Sequence, residues 1–103
     1  MALNNADKKQ FRKIGHSLKP IVTIAENGIN DNIRKEIERA LEEHELIKIK
    51  VVTDREGKKG LTESICEEFG AECVQSIGHI ILLYRAARKP NPKLSNILRN
   101  QSG

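Results

Sequence analysis

Lys8, Lys9, Arg12, Lys13, His16 and Lys19 crowd into the opening segment of the chain, with Asp7 the only acid near them. Wound as a helix at about 100° per residue, Lys8, Arg12, His16 and Lys19 fall within roughly 80° of one another. Lys9 and Lys13 fall at roughly 100–140° from Lys8. Phe11, Ile14 and Leu18 occupy the opposite side. One face would pack and the other would present five cations and a histidine. Clustered Lys and Arg displace counterions from a phosphate backbone, so the chemistry implied is polyanion binding; a helix face that is merely solvated is the alternative. The segment around Arg34–Glu43 differs. Its Arg and Glu residues interleave at i,i+4, as in Arg34–Glu38 and Arg39–Glu43, which reads as an ordinary solvated face.

Two further sets could contact phosphates. Lys48 and Lys50 lie two apart on the polar side of an alternating segment, where they suit either a phosphate backbone or the protection of a sheet surface. Gly57-Lys58-Lys59-Gly60 and Ala25-Glu26-Asn27-Gly28 each precede or open a helix, and helix N-termini offer unpaired N–H groups to anions. On pattern alone the Gly57–Gly60 loop, with Arg55 close by, is the better candidate, because it has both glycines and two lysines.

Catalytic chemistry has little to stand on. His16, His44 and His79 with Cys66 and Cys73 lack metal-ligand spacing. There is no Walker A, G-x-S-x-G or H-E-x-x-H motif. Glu42-Glu43 and Glu67-Glu68 are adjacent in sequence and point in different directions. The sequence thus predicts no enzyme, metal, cofactor or small-molecule substrate. Cys66 reads as a core residue and His44 as a helix-end packing residue.

The elements that must position these groups follow from periodicity. Ala6, Phe11, Ile14 and Leu18 predict a helix over 6–18, stopped by Pro20. Ile21–Ile24 reads as a buried strand ending at Asn27-Gly28. Asn30 caps a helix whose stripe is Ile33, Ile37, Ala40 and Leu41. Residues 46–53 alternate as a strand. Asp54 caps a third helix through Phe69, with Gly70 as its C-cap. Glu72–Ile77 and His79–Tyr84 are strands joined at Gly78, the second of them central and covered on both faces. The expected fold is an α/β two-layer sandwich, α-β-α-β-α-β-β, with a four-stranded mixed sheet.

Charge is segregated along the chain: +4 over residues 1–20, −5 over 21–84 and +5 over 85–103. Only three aromatic residues are present, Phe11, Phe69 and Tyr84, which argues against a platform of rings for stacking bases. No apolar run approaches a membrane span and the first residues do not read as a signal peptide, so a cytoplasmic protein with reduced thiols is expected. After Arg85 the apolar pattern stops. Residues 87–103 read as a basic, disordered tail, in which Leu94, Ile97 and Leu98 could form a helical turn on a partner.

Several blocks resemble one family in order. Ile14-Gly15-His16-Ser17-Leu18-Lys19-Pro20-Ile21-Val22 resembles the "LAHxLKPVV" opening of the CRM domain in its bacterial single-domain YhbY form. Asn27-Gly28-Ile29 is similar to its "GxNGLT" loop, His44–Lys50 to "HELIKVK", and Val74–His79 with Leu82–Arg85 to "VQxIGxxLVLYR". The resemblance spans about residues 3–86, setting a domain at 1–86. It implies a fold similar to the C-terminal domain of bacterial initiation factor three. It also implies association with precursor large ribosomal subunits, since bacterial members associate with these and plant relatives act in group II intron splicing. The family's RNA-contacting G-x-x-G loop maps onto Ala25–Gly28, reversing the preference for Gly57–Gly60. At that loop the chain departs from the family: Ala25 replaces the first glycine and Glu26 adds a negative charge. A left-handed backbone at Ala25 would cost about 1–2 kcal/mol.

The expected RNA-binding set is therefore Lys8, Lys9, Arg12, Lys13, His16, Lys19, Ala25, Glu26, Asn27, Gly28, Lys48, Lys50, Arg55, Lys58 and Lys59. The expected partner is large-subunit ribosomal RNA or its precursor particles, bound by a monomer in the cytoplasm. The alternative is a protein-binding adaptor on assembling ribosomes that docks through its tail.

Overall fold

A computed structural model of the chain describes residues 3–25 and 27–98. The elements run α1 (Asn5–Gly15), β1 (Pro20–Ile24), α2 (Asp31–His44), β2 (Leu46–Val51), α3 (Arg55–Phe69), β3 (Glu72–Ile77) and β4 (Ile80–Tyr84). Each helix begins at a side-chain cap. Asn4 accepts from the Asp7 N–H at 2.8 Å, Asn30 from Ile33 at 2.8 Å and Asp54 from Gly57 at 2.7 Å, each bond satisfying one otherwise orphaned donor. Gly70, with φ +63°, closes α3 in the left-handed conformation the sequence predicts.

The strands form one mixed sheet in the order β1-β2-β4-β3. β1 pairs parallel with β2, β2 antiparallel with β4, and β4 antiparallel with β3. Strand alternation gives the sheet two apolar faces. Ile47, Ile49 and Val51 from β2 and Ile81 and Leu83 from β4 meet α2 and α3 through Ile37, Leu41, Ile65 and Phe69. Leu46, Val74 and Leu82 project from the other face and are covered by Phe11 and Ile14 of α1 together with Ile97. The sheet with α2 and α3 is the layered core the sequence predicts; α1 adds partial cover behind it. Gly15 permits this cover, because a Cβ there would lie 2.6 Å from the Leu82 side chain.

The register breaks twice, between Pro20 and Thr23 of β1 and again in β3. The β3 register shifts between Cys73 and Gln75, so Cys73 pairs with Leu83 and Gln75 with Leu82. The extra residue at this bulge re-aims every side chain beyond it, so Ile77 pairs with Ile80 on the α1 face.

The ion pairs on α2 are partly those expected. Arg39 bonds Glu43 at 3.3 Å as its spacing suggests, and Glu36 as well. Arg34 bypasses Glu38 for Asp31 and Glu68, because Glu38 is taken by Arg85.

The tail differs from expectation. Through Leu98 it is ordered on the body of the protein, while residues 99–103 lie outside the described residues. The cause is the corner between α2 and β2. Glu45 is 5% exposed and has a positive φ of 62°, a conformation that costs a non-glycine residue about 1–3 kcal/mol and persists only where surroundings enforce it. Its backbone is held by bonds to Leu41 and Arg85, and its side chain by the tail. The Glu45 carboxylate accepts from the Ala87 N–H at 2.9 Å and from the wholly buried Ser95 hydroxyl at 2.6 Å. The Asn96 amide donates to the Leu46 carbonyl at 2.6 Å. His44, the helix-end residue, donates from Nδ1 to the Leu94 carbonyl at 2.9 Å. A buried carboxylate needs donors, and the polar composition that suggested disorder supplies them.

Ser95→Ala removes one donor from a buried carboxylate and should cost about 1–3 kcal/mol. Truncation after Ala86 should cost more, since it also strips Ile97 from the core. Both follow from urea titration, and a truncated chain as stable as the full one would show the tail to be dispensable.

Candidate nucleic-acid interface

α1 turns Phe11, Ile14 and Gly15 to the sheet and leaves Lys9, Arg12, Lys13 and, at its C-cap, His16 exposed; Lys8 is half-buried. Lys19 is exposed in the connection to β1. Lys48 and Lys50 project from β2 on the face that α1 shares. Lys48 and His16 border one shallow depression with Gly15, Gln75, Ile77, Ile80 and Leu82.

The Ala25–Gly28 segment leaves the C-terminal end of β1. The Val52 N–H donates to the Ile24 carbonyl at 2.7 Å, which sets this loop beside the β2–α3 connection. Ala25 and Gly28 form a turn closed by Gly28 N–H to Ala25 carbonyl, 2.9 Å. Gly28 carries the positive φ, +83°, while Ala25 does not. The expected cost of alanine in a left-handed position therefore does not arise, because the turn bends at its last residue rather than its first. Asn27 is exposed. Glu26 lies outside the described residues.

Arg55, Lys58 and Lys59 are brought together elsewhere. With Thr53, Thr62 and His79 they line a cleft of about 630 Å³ between the start of α3 and the β3–β4 turn. Lys58 is engaged within the protein, its ammonium donating to the Gly78 carbonyl. His79 donates from Nδ1 to the Val51 carbonyl at 3.1 Å, and the Val51 N–H donates to the His79 carbonyl at 2.6 Å. The expected cations thus form two groups. One runs over α1 to Lys48 and Lys50; the other sits at the N-terminus of α3, which packs on the opposite sheet face.

Gly57 has a structural reason to be glycine. A Cβ there would stand 2.6 Å from Thr53 Oγ1 and 2.9 Å from the capping Asp54 Oδ1, whereas one at Gly60 would meet nothing within 4 Å. Gly57 alone is required by the helix start packed on its own cap.

Among the described residues, none of Lys8, Lys9, Arg12, Lys13, His16, Lys19, Lys48, Lys50, Arg55 or Lys59 forms an ion pair, while Arg34, Arg39 and Arg85 all do. Arg85 holds the Glu38 carboxyl below its usual range, chiefly through their hydrogen bond. Burial pushes the Cys66 and Cys73 thiols up, which disfavours the nucleophilic thiolate. Sequence reasoning missed Gln75, Ile77 and Ile80 as neighbours of Lys48, since the bulge that places Gln75 and Ile77 there leaves no sequence signal.

Gly57→Ala should cost about 0.5–2 kcal/mol by displacing the cap, and Gly60→Ala should gain about 0.5–1 kcal/mol by lowering the entropy of the unfolded chain. Thermal melts of the two variants distinguish this asymmetry from a shared role as a flexible loop, which predicts like effects.

Residues 3–85 match the CRS1 / YhbY (CRM) domain. A probable RNA-binding protein of Pseudomonas aeruginosa is 47% identical over 96% of this chain and 96% of its own length. An RNA-binding protein of Haemophilus influenzae is 42% identical over 91% of this chain and 97% of its own. The solution structure of a Staphylococcus aureus protein, 37% identical, superposes with a TM-score of 0.74 over 85% of this chain and 93% of that one. On the match over residues 3–85 and these relatives, the chain belongs to the CRS1 / YhbY (CRM) domain family.

Proposed function

We propose that this chain binds RNA, and specifically the ribosomal RNA of precursor large subunits, as a cytoplasmic monomer that helps hold that RNA in an assembly-competent shape. The observation that carries the reading is the contrast between its two sets of cations. Both arginines of α2, Arg34 and Arg39, are neutralised by carboxylates on the same helix or on α3. Those of α1, with Lys48 and Lys50, have no carboxylate partner among the described residues. Unpaired cations on a rigid helix and strand favour association with a polyanion through counterion release. The Asn27-Gly28 turn, with its positive-φ glycine, allows close approach of backbone to phosphate. The names of the Pseudomonas and Haemophilus relatives support the RNA partner. The ribosomal assignment comes from the resemblance to bacterial family members.

The adaptor alternative relied on the tail. Ile97 is buried in the protein's own core, and of the apolar residues it needed Leu94 is left at 38% exposure. Truncating the tail cannot separate the two readings, because it also removes the support of Glu45.

Binding to a large-subunit rRNA fragment, followed by fluorescence anisotropy across salt concentrations, should give a log K against log salt slope near −3.5 to −4.5 for about five neutralised phosphates. Arg12→Gln and Lys48→Gln should each reduce the slope by about 0.7–0.9. Crosslinking in cells should recover large-subunit rRNA. A flat salt dependence, or recovery of other RNAs in place of rRNA, would sink the corresponding half of the reading.

A further inference from the structure

The sheet face beneath α1 is organised in cross-strand rows. Leu46, Tyr84 and Glu72 align in the first, Lys48, Leu82 and Gln75 in the second, and Lys50, Ile80 and Ile77 in the third. Residues aligned in this way present their side chains on one face. α1 covers the first row and part of the second. Phe11 meets the Tyr84 ring at a centroid distance of 4.8 Å, and Gly15 abuts Leu82. The helix then ends, and the third row lies beyond it. Ile77 is 64% exposed, Lys50 is exposed and Ile80 is half-buried. Thr23 of β1 pairs with Lys50 and is exposed too.

The result is an aliphatic strip flanked by cations. Ile77 and Ile80 supply its apolar surface, Lys50 and Lys48 stand beside them on β2, and His16 closes the side towards α1. Neither the second nor the third row contains an acid. An apolar protein segment would gain nothing from the lysines. A duplex would offer phosphates but keep its base faces stacked inside. An unpaired nucleotide presents both an apolar face and a phosphate, and single-strand binders combine these two contacts.

We propose that unpaired RNA crosses this open end of the sheet, with base faces on Ile77 and Ile80 and phosphates at Lys48, Lys50 and His16. The proposal rests on the RNA-binding reading above and sharpens it to single-stranded segments or loops. The contact is aliphatic, from Ile77 and Ile80, in place of a platform of rings.

Ile77→Ser changes a largely exposed side chain, so folding should be unaffected; a thermal melt checks this. Anisotropy is read with a labelled single-stranded oligoribonucleotide and with a duplex of equal length, each over a salt series. The variant should bind the single strand about fivefold more weakly, with duplex affinity and both salt slopes unchanged. Lys50→Gln should instead lower the single-strand slope. If Ile77→Ser binds the single strand as wild type does while the salt slope persists, this inference fails and electrostatic binding stands. A flat slope for wild type removes the electrostatic reading itself. If the substitution abolishes self-association in sedimentation and leaves RNA affinity unchanged, the strip belongs to a second copy of the chain and the inference is overturned.

Discussion

A sheet whose strands carry apolar side chains on both faces must be covered twice, and this chain has cover for one face and a half. α2 and α3 close one side completely, with Ile37, Leu41, Ile47, Ile49, Val51, Ile65, Ile81 and Leu83 almost without exposure. α1 has eleven residues, about 16 Å of helix at 1.5 Å per residue, and it cannot reach across every row of the other side. The chain answers by placing lysines on β2 where cover ends. The surface left open is therefore basic, held on rigid elements, and bordered by the cations of α1.

The same shortage explains the tail. Ile97 completes the cover over Leu46, Val74 and Leu82, and the residues before it satisfy the carboxylate of Glu45. At that corner a helix passes into a strand through a single residue. Its backbone bonds to Leu41 and Arg85 hold the bend, and the tail holds its side chain. Arg85 then ties the end of β4 to α2 through Glu38 and Glu42, and to the end of α3 through the Phe69 carbonyl at 3.2 Å. A segment outside the family match thus stabilises the segment within it.

The conflict between the two G-x-x-G-like loops is resolved by backbone geometry. At Gly57 the constraint is a neighbouring cap oxygen, and at Gly28 it is a positive φ. The two glycines look alike in sequence and answer to different forces, one steric and internal, the other conformational and at the surface. The lysines near them differ likewise: Lys58 spends its charge on the Gly78 carbonyl, whereas Lys48 and Lys50 keep theirs for solvent or a partner.

What could be read from the residues alone was whatever local periodicity and capping determine. Apolar spacing placed all three helices and four strands. Asn30, Asp54 and Gly70 marked helix ends through bonds to residues within one turn, and the cationic face of α1 followed from helical geometry. Tertiary structure decided what depends on partners distant in sequence. Ser95 and Asn96 read as disordered because their partners, Glu45 and Leu46, lie fifty residues away. Ile77 read as one more alternating strand residue because a bulge is a mismatch between two strands, and neither strand carries it alone. Its exposure beside Lys48 and Lys50 arises only when β3, β4 and β2 are aligned and α1 stops short of them.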